Sequence, residues 1–261
     1  MPLRSPSDTL TAAHDAGLAK ATGRPLSKLV TGSILAGAYI ALGGVLSIII
    51  GYGFPGLSAA NPGLQRLLSG LVFPIGLMLV VALGADLFTG NNALLIPPLM
   101  KRKLGAGAIL RNWCIVWAGN FVGSLLLAYF LVYLTGLTAK APYAEAVASI
   151  AAAKTSASAG VVFLKAIGAN WCVCLAVWLA LSGRRLGEKL LACEVPVMAF
   201  VALGFEHCVA NMFFLPLAMM QGADISIAQM LMSNILPATV GNIVGGALFV
   251  GAAQTYLHSR D

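Results

Sequence analysis

The sequence predicts an all-α integral membrane protein of six transmembrane helices, arranged as two inverted three-helix repeats with helices two and five broken. Three observations carry that prediction. The chain of 261 residues is 59% hydrophobic and 10% charged, with a mean hydropathy of +0.89, a composition that requires a lipid environment. Apolar runs long enough to cross about 30 Å of hydrocarbon recur along it, and three per half place a duplicated second half upside down relative to the first. Polar residues interrupt two of those runs, at Ala85-Asp86-Leu87-Phe88-Thr89-Gly90-Asn91-Asn92 and at Gly204-Phe205-Glu206-His207-Cys208-Val209-Ala210-Asn211-Met212.

Taken in order, residues 1–28 hold Arg4, Asp8, His14, Asp15, Lys20, Arg24 and Lys28 with no apolar core, so they do not read as a cleaved signal peptide. Ser7-Asp8 is the expected cap of a short amphipathic helix reaching to about Thr22, a surface helix or a gate. The membrane domain is expected over 29–257, followed by a short tail, 258–261. Span one covers 29–52, with Gly32, Ser33, Gly37, Ala38 and Gly43 allowing close packing. Asn61-Pro62-Gly63 marks a turn in the loop after it, and its absence from the second half argues against a paired Asn-Pro-Ala water channel.

Span two begins near Leu67, is expected to break over 86–92 and ends at Pro97-Pro98 and Lys101-Arg102-Lys103. Irregular backbone cannot face lipid, so each break must line a cavity or be buried in protein. Span three covers 112–137, and a connection over 138–156 carries Lys140, Glu145 and Lys154. Span four, 157–182, contains Lys165 and Asn170. Span five is the interrupted run 195–221, and span six covers 225–257.

The duplication is legible in two anchors. Asn112 followed by Gly119-Asn120-Phe121-Val122-Gly123 recurs as Asn234 followed by Gly241-Asn242-Ile243-Val244-Gly245, a shift of 122; Asp86 and Asn91 recur as Glu206 and Asn211, a shift of 120. Basic residues set the topology. Arg4, Lys20, Arg24, Lys28, the Lys101-Arg102-Lys103 run, Arg111, Arg184, Arg185, Lys189 and Arg260 fall on one side, and Arg66, Lys140 and Lys154 on the other, which places both termini in the cytoplasm. Because these cations are distributed over loops, the net charge of +7 is no sign of nucleic-acid binding. Cys114, Cys172, Cys174, Cys193 and Cys208 sit in or beside apolar segments without metal or redox spacing, so neither a metal nor a cofactor is expected.

Ionisable groups at membrane depth are costly and usually functional, which makes His207 the leading pore candidate. Asn211, four residues on, would share its helix face. Asp86, Asn91, Glu206 and Asn211 are expected to support the two helix breaks, and Thr89 and Asn91 to offer a hydroxyl and an amide opposite the imidazole, with Asn170 orienting them. Phe73, Leu77, Leu87, Phe88 and Phe200 are candidate apolar constrictions that gate by excluding water, or plain core.

The segments Gly84-Ala85-Asp86-Leu87-Phe88-Thr89 and Gly204-Phe205-Glu206-His207, the pair Asn170-Trp171 with the run through Trp178, and both Gly-Asn-x-Val-Gly repeats resemble the formate/nitrite transporter family over essentially the whole chain. That resemblance implies a homopentamer of aquaporin-like protomers in the bacterial inner membrane, each with its own pore for small monovalent anions. It implies that His207 is the central pore histidine, Thr89 the loop threonine, Asn170 the span-four asparagine and Lys154 the basic residue of the outer vestibule. Leu77 with Phe73 and Phe200 would form an outer constriction, and Leu87 with Phe88 an inner one; Lys165 has no such assignment. Formate is the first expectation, then nitrite, with hydrosulfide, acetate and lactate behind, and a proton is expected to accompany the anion. An integral membrane acid–base enzyme using Glu206 and His207, or a neutral-solute channel, are the remote readings.

Overall fold

The computed structural model describes residues 3–259; Arg260 and the end of the expected tail lie outside the described residues. An N-terminal helix, α1 (Pro6–Thr22), precedes the apolar helices α2 (Leu26–Tyr52) and α3 (Pro62–Leu83), and a short helix, α4 (Phe88–Leu94), follows the first break. After α5 (Ala106–Tyr133) comes a connecting helix, α6 (Tyr143–Ser156), then α7 (Ala159–Ser182). The second interrupted span consists of α8 (Leu186–Ala202) and α9 (Cys208–Met220), and α10 (Ile227–His258) closes the chain. Of these, α2, α3, α5, α7 and α10 are long and apolar enough to cross a membrane. The fifth expected span is thus two shorter helices meeting at a break.

The glycines of the repeated motif explain how the helices pack. A Cβ on Gly123 of α5 would collide with the carbonyl of Ile34 in α2, and one on Gly245 of α10 with the carbonyl of Ile167 in α7. Small residues let two backbones touch where no hydrophobic effect drives helices together in lipid. The Asn between the paired glycines, Asn120 or Asn242, is wholly buried in each case.

One detail departs from expectation. The cap of α1 is Ser5, whose hydroxyl accepts from the Asp8 amide, two residues ahead of the expected Ser7-Asp8 start. One face of α1 packs inward, where Leu10 and Ala13 belong to the core and Gly17 sits against the carbonyl of Leu94, while Asp8, Thr11, Asp15 and Ala19 on the other face are exposed. The N-terminal segment therefore packs into the helical body, directly over the first break.

Candidate functional site

Both breaks begin with a left-handed glycine. Gly84 at φ 70° and Gly204 at φ 67° end their half-helices in a conformation that costs other residues strain. The chain runs extended to Leu87 and to His207, and helix resumes at Phe88 and at Cys208. The first break is therefore 84–87 rather than 86–92, and Thr89, Asn91 and Asn92 are helical.

A resuming helix leaves its first amides unbonded, and in lipid these need partners. Asn120 supplies one: its Oδ1 accepts from the Phe88 amide at 2.8 Å, while its Nδ2 donates to the carbonyls of Asp86 (2.9 Å) and Ser33 (2.7 Å). Asn242 does the same for the second break. Its Oδ1 accepts from the Cys208 amide at 2.8 Å, and its Nδ2 donates to the carbonyls of Glu206 (3.0 Å) and Ala166 (2.8 Å). These two asparagines appear in the sequence only as members of a repeat, and the structure gives them a task at each break.

The acids are ion-paired. Asp86, with no exposed side chain, meets Lys20 Nζ at 2.7 Å and Arg24 at 2.5 Å, both supplied by the N-terminal segment. Burial pulls the Lys20 ammonium below its ordinary value, and the Asp86 carboxylate opposes that pull. Glu206 Oε2 accepts from Lys154 Nζ at 3.0 Å, from Asn211 Nδ2 at 2.7 Å and from Asn234 Nδ2 at 3.2 Å. Lys154 also lies 5.7 Å above the Phe214 ring. Asn211 thus belongs to the carboxylate network, while His207, four residues before it, is the cap residue of α9, and both side chains line the cavity on the α6 side.

At the centre, Thr89 Oγ1 and His207 Nε2 stand 2.9 Å apart, both buried. His207 Nδ1 accepts from the Ala210 amide at 3.1 Å, so in a neutral ring the proton sits on Nε2 and points at the threonine oxygen. The threonine hydroxyl hydrogen is then left for another acceptor. Asn170 fixes the threonine from behind, with Nδ2 at 2.6 Å from the Asn242 carbonyl, 3.1 Å from Asn92 Oδ1 and 3.2 Å from the Thr89 carbonyl. It holds the backbone of Thr89, not the hydroxyl.

Two cavities flank this contact. One of about 150 Å³ is lined by Leu77, Leu87, Gly90, Asn91, Lys20 and Lys189, on the side of α1. The other, of about 350 Å³, is lined by Phe73, Phe200, Lys154, Glu206, His207 and Asn211, on the side of α6. Phe73 and Phe200 meet edge to face at 5.8 Å, and Phe200 stacks on the His207 ring at 5.7 Å. Leu77 lines the first cavity beside Leu87, one helical turn after Phe73 in α3. Phe88 lines neither cavity; it packs at 6.3 Å against Trp113. Sequence reasoning missed Lys20 and Arg24 as partners of Asp86. The signal available was the acid itself, which at that depth needs a cation.

Apolar helices wrapped around two cavities that approach one hydroxyl–imidazole contact define a class of membrane protein, one that passes small solutes. The family model described as "Formate/nitrite transporter" matches residues 7–256. A probable formate transporter of Methanothermobacter thermautotrophicus is 38% identical over 273 residues, covering 99% of this chain and 98% of the relative. A solved structure described as an FNT family ion channel superposes with a TM-score of 0.83 at 32% identity, covering 96% of this chain and 98% of that one. Another, described as a pentameric formate channel with formate bound, gives 0.77 at 30% identity, covering 89% and 97%. The chain belongs to the formate/nitrite transporter family, a family of membrane transporters and channels and not of enzymes.

Proposed function

We propose that the protein moves small monovalent anions, formate first, through the path between the two cavities, together with a proton. The observation that carries this reading is the Thr89–His207 contact: His207 lines the cavity walled by Phe73 and Phe200, and Thr89 lies in the chain between Leu87 and Gly90, which line the other. Carrying a bare carboxylate past such walls costs several kcal/mol even after relaxation. Neutralising an acid of pKa about 4 at pH 7 costs about 4 kcal/mol, so the protonated acid competes as the crossing species. Water or His207 supplies the proton, and the Thr89 hydroxyl steadies the anion.

The same reading includes two inverted halves, a homopentamer, a bacterial inner-membrane location and cytoplasmic termini. Trp117 Nε1 donates to Thr239 Oγ1 at 3.0 Å. These residues are 122 apart, the offset of the repeat, and matched positions that touch each other are what an internal two-fold axis produces. The pentameric formate channel among the similar structures supports the assembly and the formate-type substrate. Nitrite is the second candidate, since it is a conjugate base of similar size that this path treats alike.

Uptake of labelled formate into proteoliposomes, with pH stepped and nitrite as competitor, tests the reading. Uptake that rises as external pH falls, and that nitrite competes, is the expected result. Uptake that moves no protons overturns the proton step, and glycerol permeation without anion flux overturns the whole reading.

A further inference from the structure

The cavity on the α6 side is lined by four charged residues, Arg66, Lys154, Lys165 and Glu206. They divide by depth. Lys154 and Glu206 are paired at 3.0 Å with side chains 15% and 8% exposed, and form the cavity floor beside His207. Arg66 and Lys165 are exposed at the rim, and neither has an acid partner among the described residues.

The two pairs act differently on an anion in solution. A tight ion pair presents a dipole, whose field fades within a few ångströms, and Glu206 cancels most of what Lys154 offers at a distance. Unpaired cations act as single charges out to a Debye length, about 10 Å at 0.1 M salt. Walls of one sign around a low-dielectric cleft raise the local concentration of the opposite ion. Resting on the anion-conducting reading above, the geometry points to Arg66 and Lys165 as the anion-collecting and charge-selecting residues of this mouth. Lys154 is held by Glu206 and acts only at contact range. The substrate class they select is any small monovalent anion; the preference among anions is set deeper.

Labelled formate uptake by reconstituted wild type, Arg66→Gln, Lys165→Gln, the double variant and Lys165→Arg, measured at low salt and at 1 M salt, tests this. Each single glutamine variant raises the KM on the order of threefold at low salt and the double variant on the order of tenfold, with maximal rate unchanged and Lys165→Arg like wild type. At 1 M salt, where the Debye length is about 3 Å, the differences vanish. An unchanged KM at low salt, or a rise that persists at 1 M, overturns the assignment while leaving anion conduction standing. Wild type that takes up no anion overturns both. Thermal unfolding of each variant, measured alongside, is expected to match wild type because both side chains are exposed at the rim.

Discussion

The two breaks are built alike and used differently. Each starts at a left-handed glycine, presents a buried acid two residues on, has its first helical amide capped by the Asn of a Gly-Asn-x-Val-Gly motif, and carries an Asn five residues past the acid. Asn91 donates to Asn112, which donates to the carbonyl of Lys20; Asn211 donates to Asn234, which donates to the carbonyl of Lys154. The helix α1 therefore does for the first break what α6 does for the second. Among the positions that differ at a shift of 120 are the two that meet at the centre: Leu87 stands where His207 does, and Thr89 where Val209 does. The shared residues hold the helices apart against the demand of every buried amide and carbonyl for a partner, and the unshared ones meet at 2.9 Å.

The strongest way to break this parallel is to remove the acids. Glu206→Ala leaves Lys154, Asn211 and Asn234 without their common acceptor, and Asp86→Ala leaves Lys20 and Arg24. Stranding a buried charge costs about 3–5 kcal/mol, so each variant should lose that much in denaturant or thermal unfolding. Equal losses sharpen the comparison; a neutral Asp86→Ala would sever it. Next come the packing glycines. Gly123→Ala and Gly245→Ala each push a methyl into a facing carbonyl, a change expected to cost about 1–3 kcal/mol at both sites and to be read by the same unfolding assay. The smallest effect is expected from Thr239→Val, which removes the Trp117 bond between the halves for about 1 kcal/mol and leaves transport intact.

Much of this organisation was legible in the sequence because membranes restrict what a chain can do. Apolar runs fix the spans, and acids inside them announce breaks. Matched motifs exposed the duplication, and Val81-Ala82-Leu83-Gly84, repeated as Val201-Ala202-Leu203-Gly204, would have placed the starts of both breaks had it been read as an anchor. Long-range partners were not legible. Lys20 meets Asp86 across 66 residues of chain, and nothing local marks α1 as the counterpart of α6 when their spacing differs from the repeat. Side-chain direction was the other failure: the resemblance grouped Phe88 with Leu87 as a constriction, but Phe88 packs against Trp113 and lines neither cavity.

The most direct test of the claim that the unshared positions carry the chemistry gives the second break the residue of the first, His207→Leu. Losing the imidazole cap costs up to about 2 kcal/mol and should leave a folded protein. Proton-coupled formate flux in proteoliposomes is then predicted to fall to that of protein-free vesicles while thermal unfolding stays close to wild type. Flux at the wild-type rate with its pH dependence unchanged would contradict the account.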